Sequence, residues 1–279
     1  MNWSLYSSFL LGGEMMLNVK EFVLKVNDAQ MDCIRFGKGK RNLIMIQGLN
    51  TNGIKGSGIM LSLMYHIFSK DYTVYLFDRR KDVYEGITIE TFADDIADAM
   101  TSLNIESADI LGVSQGGMIG QYLAIKYPHL VNKLVLALSL SRNNETVEHV
   151  INKWISLTKE NDFKELIYDM AINMYSDEYI RKYKIMMPLL SFVQKPKDTS
   201  RFMILCKSCL TCDTYEFLDK IKCPTFVIGA RKDQIVGCDA SIEMSNKLNC
   251  PLHIYENLGH AAYEEASDFN KLVYDFLSK

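Results

Sequence analysis

The chain has 279 residues, of which 48% are hydrophobic and 23% charged, and its formal net charge is −3. This length fits one globular core with a sizeable insertion better than two ordinary domains. The small negative charge gives no electrostatic reason to expect nucleic acid as a partner, and no apolar run approaches the ~20 residues of a membrane-spanning helix.

Along the chain, short runs of branched apolar residues alternate with longer amphipathic segments, a pattern typical of βα units around a mainly parallel sheet. The segment "EFVLKVNDAQMDCIRF" is predicted to form a hairpin that turns at Asn27 and Asp28. Further strands are predicted in "NLIMIQG", "YTVYLFD", "ADILGVS", "KLVLALS", "PTFVIGA" and "PLHIYEN". Several are apolar throughout, as expected where helices such as "TIETFADDIADAMTSLN" cover both faces of the sheet.

The alternation stops once, between Ser139 and Cys223. The apolar positions of "ETVEHVINKWISL" and of "FKELIYDMAINM" follow helical spacing. A further helix is predicted to begin near Ser176 and to end at Pro188, and another follows Thr199. The segment is therefore interpreted as an inserted helical cap without strands of its own.

These patterns predict an α/β core formed by residues 16–138 and 223–279, and a helical cap formed by residues 139–222. Residues 1–15 are interpreted as an N-terminal extension, because they show no periodicity that the sheet needs. The hypothesis for this extension is a translated ribosome-binding site, since Gly-Gly-Glu can be encoded by a purine-rich sequence ahead of the paired methionines that follow. A genuine extra strand or lid is the alternative.

The seven cysteines are an odd number and follow no paired framework. The N-terminus also lacks the basic start of a secretory signal, so we expect a reduced, cytoplasmic protein without a membrane partner. Cys206, Cys209 and Cys212 repeat a spacing that opens some iron–sulfur sites. Their helical stripe favours small core residues over ligands, and no metal is predicted. The glycine-rich "GLNTNGIKGSG" lacks the ending of a phosphate-binding loop and is predicted to be a mobile loop.

One serine lies between two glycines, in the pattern Gly112-Val113-Ser114-Gln115-Gly116, directly after the apolar strand "ADILGV". A sharp strand-to-helix turn of this kind strains the serine backbone and leaves no room for side chains two positions away. A match to this pattern arises by chance in roughly one chain in fifteen of this length. Its place after a buried strand makes Ser114 the candidate nucleophile.

A serine hydroxyl needs a base to take its proton and an acid to orient that base. Among the five histidines, His260 lies on a loop between the last strand and the last helix, and it is the predicted base. Asp233 follows the end of "PTFVIGA" and gives the chain order serine, aspartate, histidine. Glu145 and Asp239 remain alternatives for the acid.

These motifs resemble those of the α/β-hydrolase fold family, of the small capped serine hydrolase type. The resemblance rests on the glycine-flanked Ser114, on "GARKDQIV" with Asp233 and on "LGHAAYEEASDFNKLVYDFL" with His260. It covers most of the chain from about residue 42 onward. It implies that these three residues are the nucleophile, the acid and the base.

The resemblance also implies an oxyanion hole formed by the backbone N–H groups of Leu49 and Gln115. The family often has His-Gly in the first of these loops, whereas this chain has "QGLN". A second departure follows "YLFD", where Arg79, Arg80 and Lys81 replace a glycine-containing turn. We expect this basic triplet to form a solvated loop, and contact with an acidic substrate is the alternative.

The predicted function is therefore the hydrolysis of a carboxylic ester or related small acyl compound, without a cofactor. Thioester hydrolysis, carbon–carbon bond hydrolysis and perhydrolysis use the same groups, and a ligand-binding protein that retains the triad is a further alternative. Met170, Met174 and Met187 of the cap are predicted to line the substrate pocket, since methionine adapts to variable apolar shapes. The oligomeric state is left open.

Overall fold

The computed structural model describes residues 18–183 and 194–279, and a twisted sheet runs through its centre. The strands are β1 (Lys20–Val26), β2 (Ala29–Gly37), β3 (Arg41–Ile46), β4 (Tyr72–Phe77), β5 (Ala108–Val113), β6 (Val131–Ala137), β7 (Thr225–Ala230) and β8 (Leu252–Tyr255). Their order across the sheet is β1-β2-β4-β3-β5-β6-β7-β8. The β1–β2 and β2–β4 pairs are antiparallel, and all other neighbouring pairs are parallel. The predicted mainly parallel sheet is confirmed.

Helices pack on both faces of this sheet. They are α1 (Gly58–Met64), α2 (Ile89–Ser102), α3 (Gln115–Lys126), α4 (Glu145–Lys159), α5 (Phe163–Met174), α6 (Asp177–Tyr183), α7 (Thr199–Cys209), α8 (Cys238–Leu248), α9 (Ala262–Glu265) and α10 (Phe269–Ser278). Alternate residues of β3 enter two separate apolar cores, Ile44 and Ile46 on one face and Leu43 and Met45 on the other. Every residue of β4, β5 and β7 is buried, because both faces are covered.

In the described ranges 18–183 and 194–279, the helices α4 to α7 follow β6 and precede β7. Side-chain oxygens cap three of them at the N-terminus: Asn144 accepts from the N–H of Val147, Asp162 from that of Glu165, and Asp198 from that of Arg201. These bonds satisfy N–H groups that have no acceptor within the helix, and they place the helix starts. Between residues 139 and 222, the described part contains an isolated bridge but no strand.

Several predictions fall on residues outside the described ranges. They are the extension 1–15, the pocket residue Met187 and the helix end at Pro188. The division into a core of residues 16–138 and 223–279 and a cap of residues 139–222 likewise stays a prediction. Within the described residues, no helix is both long enough and apolar enough to cross a bilayer.

Candidate active site

Ser114 occupies the turn between β5 and α3 in a strained backbone conformation. Its φ of 53° and ψ of −120° lie outside the regions that side-chain-bearing residues normally adopt. Two hydrogen bonds of 2.8 Å hold the turn: the Ser114 N–H donates to the carbonyl of Ala137, and the Ser139 hydroxyl donates to the carbonyl of Ser114. The turn therefore presents the Ser114 side chain above the carboxyl edge of the sheet.

Backbone atoms pass too close to the flanking glycines to leave space for side chains. A Cβ atom on Gly116 would lie 1.9 Å from the carbonyl oxygen of Ile46, and one on Gly112 would lie 2.5 Å from the carbonyl oxygen of Gly116. Gly48, in the loop after β3, approaches the Cβ of Ser114, and its own Cβ would lie 3.2 Å away. Neither a strand nor a helix can move aside at low cost, so glycine is required at positions 112 and 116.

Three residues that are distant in sequence meet at this edge. The Nε2 atom of His260 lies 2.9 Å from the Oγ of Ser114, and its Nδ1 lies 2.8 Å from the Oδ2 of Asp233. Asp233 lies in the loop after β7, and His260 in the loop after β8. The carboxyl ends of parallel strands share one edge, which explains why these loops converge on Ser114.

The second carboxylate oxygen of Asp233 is held by the backbone. Its Oδ1 accepts hydrogen bonds from the N–H groups of Ile235 and Val236, at 2.9 Å and 3.0 Å. Burial by itself raises the pKa of Asp233, but His260 and the two N–H groups outweigh burial, so the pKa lies below its ordinary value. An ionised Asp233 accepts the Nδ1 proton of His260, which leaves Nε2 free to accept the proton of Ser114.

The alternative acids lie elsewhere. Glu145 is the first residue of α4 and is exposed, and Asp239 is exposed near the start of α8. The carboxylate that meets His260 belongs to Asp233. The structure therefore brings together the serine, aspartate and histidine that the sequence predicts.

The two predicted oxyanion donors, Leu49 and Gln115, lie in the loop after β3 and directly after Ser114. Gln115 is the first residue of α3, so its N–H has no acceptor within the helix and lies at the positive end of the helix dipole. Leu49 lies in the loop after β3 and lines a pocket together with Ser114 and His260. Their assignment as donors to a negatively charged oxygen next to Ser114 stays a prediction.

The prediction that the basic triplet after β4 forms a solvated loop was wrong for Arg79 and Arg80, whereas Lys81 is exposed. Arg79 and Arg80 are only 4% and 8% exposed. The Nη2 of Arg80 lies 2.7 Å from a carboxylate oxygen of Asp95 in α2, and Lys81 binds Asp32 of β2 at 2.9 Å. The Asp95 carboxylate on a neighbouring helix therefore accounts for the buried position of Arg80. The side chain of Arg79 instead donates hydrogen bonds to the carbonyl oxygens of Gln47 and Gly48 in the "QGLN" loop.

The pocket beside Ser114 is narrow, with an enclosed space of about 40 Å³. Its described walls are mainly apolar, and none of them is lysine, arginine, aspartate or glutamate. Met170 and Met174 lie on the pocket wall. An apolar stripe on α4, formed by Val147, Ile151 and Trp154, lies on the same wall, although the sequence predicts only that these residues share one face of a helix. The helical spacing of this stripe was visible in the sequence, but its direction was not.

Buried hydrogen bonds fix the tryptophan of this wall. The indole N–H of Trp154 donates to Oδ2 of Asp169 at 2.9 Å, and the amide of Asn173 donates to the same oxygen at 3.1 Å. Lys153 binds the other carboxylate oxygen. Asp169 is 1% exposed, so this carboxylate holds α4 and α5 together directly behind the pocket.

The loop that carries His260 is joined to the junction of α5 and α6. The N–H of Ala261 donates to the carbonyl of Met174 at 2.7 Å, and the hydroxyl of Tyr175 donates to Glu264 at 2.8 Å. The N–H of Ser176 donates to Glu265 at 2.9 Å. These contacts tie the pocket wall to the histidine loop.

The cysteines lie outside this arrangement, except for Cys209 on the pocket wall. Cys206, Cys209 and Cys212 are buried free thiols, and burial raises the pKa of Cys209 to about 11. At neutral pH this thiol is therefore uncharged. Within residues 18–183 and 194–279, no three metal-binding side chains of histidine, cysteine, aspartate or glutamate are grouped to hold an ion.

Comparisons with known proteins agree with the fold. A sequence model of the α/β-hydrolase fold matches residues 41–171. A protein of Caulobacter sp. (strain K31) named "Putative carbamate hydrolase RutD" is 24% identical over 239 residues, which cover 81% of this chain and 88% of that protein. A Pseudomonas protein named "2-hydroxy-6-oxononadienedioate/2-hydroxy-6-oxononatrienedioate hydrolase" is 27% identical over 187 residues, covering 64% of this chain and 66% of its own length.

A solved structure shares the architecture over nearly the whole chain. The enol-lactonase from Burkholderia xenovorans LB400 superposes with a TM-score of 0.81 at 19% identity, covering 92% of this chain and 100% of that one. The sequence match, the hydrolase relatives and this superposition agree on the fold. The chain therefore has the α/β-hydrolase fold, and its similarity to proteins named as hydrolases supports an enzyme of that class.

Proposed function

We propose that this enzyme hydrolyses carboxylic esters, or related acyl compounds, of small uncharged acyl groups through an acyl-enzyme on Ser114. The observation that carries the proposal is the hydrogen-bonded series of Ser114, His260 and Asp233 beside a narrow apolar pocket. A base next to a strained serine is the arrangement that nucleophilic acyl transfer needs.

In this mechanism the Oγ of Ser114 attacks the carbonyl carbon while Nε2 of His260 takes the hydroxyl proton. The carbonyl oxygen becomes an oxyanion, which the N–H groups of Leu49 and Gln115 stabilise. Collapse of this intermediate breaks the bond to the leaving group, which receives the proton from His260. A water molecule, deprotonated by the same imidazole, then attacks the acyl-enzyme and releases the carboxylic acid. Asp233 keeps the imidazole oriented throughout.

The pocket supports a small and neutral acyl group. Its cavity volume is about 40 Å³, and the described walls offer mainly apolar surface to the acyl group. Two of the similar proteins are named for acyl compounds, a carbamate and an enol-lactone. An enol-lactone is a cyclic ester, so its hydrolysis follows the same steps.

Carbon–carbon bond hydrolysis is the second candidate, because one relative is named for a nonadienedioate. A dioate carries two carboxylates, and burying them without a cationic partner costs several kcal/mol or more. The described pocket wall contains neither lysine nor arginine. This favours neutral esters over anionic dienoates, while small thioesters and perhydrolysis meet the same walls as esters do.

The proposed cellular setting follows from the cysteines. All seven are unpaired, which supports the reducing, cytoplasmic location that the sequence predicts. The proposed partner is a small-molecule acyl substrate, with no nucleic acid and no membrane surface involved. Labelling of Ser114 in intact cells and in cell fractions would test this location.

The decisive experiment combines a covalent probe with a substrate panel. A fluorophosphonate should add once, at Ser114, and p-nitrophenyl acetate and butyrate should be hydrolysed faster than the octanoate or a 2-hydroxy-6-oxo-dienoate. A short acyl thioester belongs in the same panel. Ser114→Ala is the control and should neither label nor turn over. A folded wild-type protein that binds acyl compounds but neither labels nor hydrolyses any of them would indicate a ligand-binding protein instead.

A further inference from the structure

Arg79 is a buried cation whose hydrogen bonds go to neutral acceptors. It is 4% exposed, and its guanidinium donates to the carbonyl oxygens of Gln47 and Gly48 and to the side-chain oxygen of Gln115. Its Nη1 atom is buried without a hydrogen-bond partner among the described residues. Burying an arginine without a directly paired carboxylate is costly, so its position needs a reason beyond packing.

The first contact sets the direction of one predicted oxyanion donor. The Nη2 of Arg79 lies 3.0 Å from the carbonyl oxygen of Gly48, which belongs to the same peptide unit as the N–H of Leu49. In a planar trans peptide the C=O and the N–H point in opposite directions. Holding the oxygen of Gly48 on the Arg79 side therefore turns the N–H of Leu49 away from Arg79.

The second contact holds the other donor. The Nε and Nη2 of Arg79 lie 2.9 Å and 2.6 Å from Oε1 of Gln115. The amide nitrogen of Gln115 in turn donates to the carbonyl of Leu205 at 3.0 Å and to the hydroxyl of Ser208 at 3.1 Å, both in α7. The oxygen and the nitrogen of the Gln115 side-chain amide are thus both hydrogen-bonded, which restricts the movement of this side chain at the start of α3.

We propose that Arg79 is a positioning residue that holds both backbone donors of the oxyanion hole, Leu49 and Gln115, from behind. This inference rests on the proposed acyl-transfer function. It also supplies the support for the "QGLN" loop in a chain that lacks the histidine the family often has there. The same guanidinium places a positive charge behind the hole, in a site where water does not screen it.

That charge acts on the transition state more than on the substrate. The carbonyl of a bound ester is neutral, whereas the tetrahedral intermediate carries a negative oxygen, so a fixed cation stabilises the second more than the first. Burial lowers the pKa of Arg79 to about 10, so the guanidinium is still positively charged near neutral pH. Loss of Arg79 should therefore lower kcat and leave KM nearly unchanged.

The test uses Arg79→Met and Arg79→Lys in the full-length protein, with p-nitrophenyl acetate as substrate. Arg79→Met should lower kcat by about 10²-fold, the typical effect of losing one oxyanion donor, with little change in KM. The inhibition constant of a trifluoromethyl ketone, which forms the tetrahedral adduct, should rise in parallel. That of a matched methyl ketone should not change. Arg79→Lys keeps the charge and should recover part of kcat.

The matched control is Arg41→Met. Arg41, at the start of β3, binds the carboxylate of Asp109 and the carbonyl of Leu277, so this variant also loses an arginine that donates to a backbone oxygen. It should lower the melting temperature without changing kcat, because that end of the sheet is opposite Ser114.

The outcomes separate this inference from the proposed function. A wild-type enzyme that neither labels nor hydrolyses esters contradicts the proposed function. An active wild type, together with a folded Arg79→Met of equal kcat and equal trifluoromethyl ketone affinity, overturns the role of Arg79. If Arg79→Met does not fold, Arg79→Lys and Gln115→Met decide: reduced kcat with unchanged KM supports the role, and wild-type kcat in both overturns it.

Discussion

The Nδ1 atom of His260 lies 2.8 Å from Oδ2 of Asp233, with only 4% and 2% of the two side chains exposed. The other oxygen of Asp233 is bound by the N–H groups of Ile235 and Val236. Rotation of the carboxylate would break both of these bonds. The backbone after β7 therefore determines the orientation of the imidazole that faces Ser114.

We expect Asp233→Asn and His260→Ala each to lower kcat by about 10³-fold or more. Asparagine keeps the shape of the carboxylate but can donate to Nδ1, which places the imidazole proton on the wrong nitrogen. Alanine at position 260 removes the base itself. Steady-state kinetics with a short p-nitrophenyl ester measure the effect, and circular dichroism shows whether each variant is folded.

The matched control for the acid is Glu145→Gln, which removes a carboxylate from the exposed start of α4. Its kcat should stay close to that of the wild type. If Glu145→Gln instead proves the more damaging of the two acid variants, the assignment of Asp233 is wrong.

Asp233 also predicts how stability depends on pH. Burial opposes ionisation, but His260 and the loop N–H groups outweigh it and lower the pKa of Asp233 below its ordinary value of 3.8. A lowered carboxyl pKa contributes stability that is complete above the ordinary value and is lost as the pH falls through the folded-state value. Urea unfolding at a series of pH values should therefore show that the free energy of unfolding of the wild type, relative to that of Asp233→Asn, decreases in acid. A difference in unfolding free energy that does not change with pH would contradict this.

Much of the fold can be predicted from the sequence because its signals are local. Strands buried on both faces are apolar at every position, and the sharp turn at Ser114 restricts the residues two positions away to glycine. The burial of Arg79 and Arg80 depends instead on distant partners. Asp95 is 15 positions from Arg80, and Gln115 is 36 positions from Arg79. Nothing in the basic triplet itself reveals those contacts.

The pocket wall likewise cannot be predicted from local sequence. Val147, Ile151 and Trp154 follow a helical stripe that the sequence shows clearly, and such stripes most often face a core. Whether the stripe meets the core or the substrate depends on how α4 lies over Ser114. That placement depends on contacts between the cap and the loops after β7 and β8, which are separate from α4 in the sequence.

The elbow glycines give a stability prediction. Gly116→Ala should destabilise the protein by about 3 kcal/mol or more, because the new Cβ would lie 1.9 Å from a backbone oxygen of β3. Gly120→Ala is the control in the same helix, where the new Cβ would lie 3.3 Å from a methyl of Leu134 and in ordinary contact with the side chains of Ile110 and Leu136. Urea unfolding should place Gly120→Ala near the wild type. If both variants lose similar amounts of stability, the close approach of the β3 backbone to Gly116 does not limit substitution more than the side-chain contacts at Gly120 do.

The hydrogen bonds of Asp169 give the last prediction. Asp169→Leu removes the acceptor of the Trp154 indole and of the Asn173 amide, and unpaired buried donors cost about 1–3 kcal/mol each. The freed indole should move, and KM for a short ester should rise because Trp154 forms part of the pocket wall. The chain has two tryptophans, so emission spectra in a Trp3→Phe background report Trp154 alone, and they should shift to the red.

Asp162→Ala is the control for this change. It removes the N-terminal cap of α5 and should cost about 1 kcal/mol, a loss of stability that does not involve the pocket. KM and tryptophan emission should therefore stay at wild-type values in that variant. Asp169→Asn should bring KM and tryptophan emission back towards wild-type values, because its amide oxygen can still accept from the indole N–H. If Asp169→Leu is folded and shows wild-type emission and KM, the carboxylate stabilises the cap without shaping the pocket.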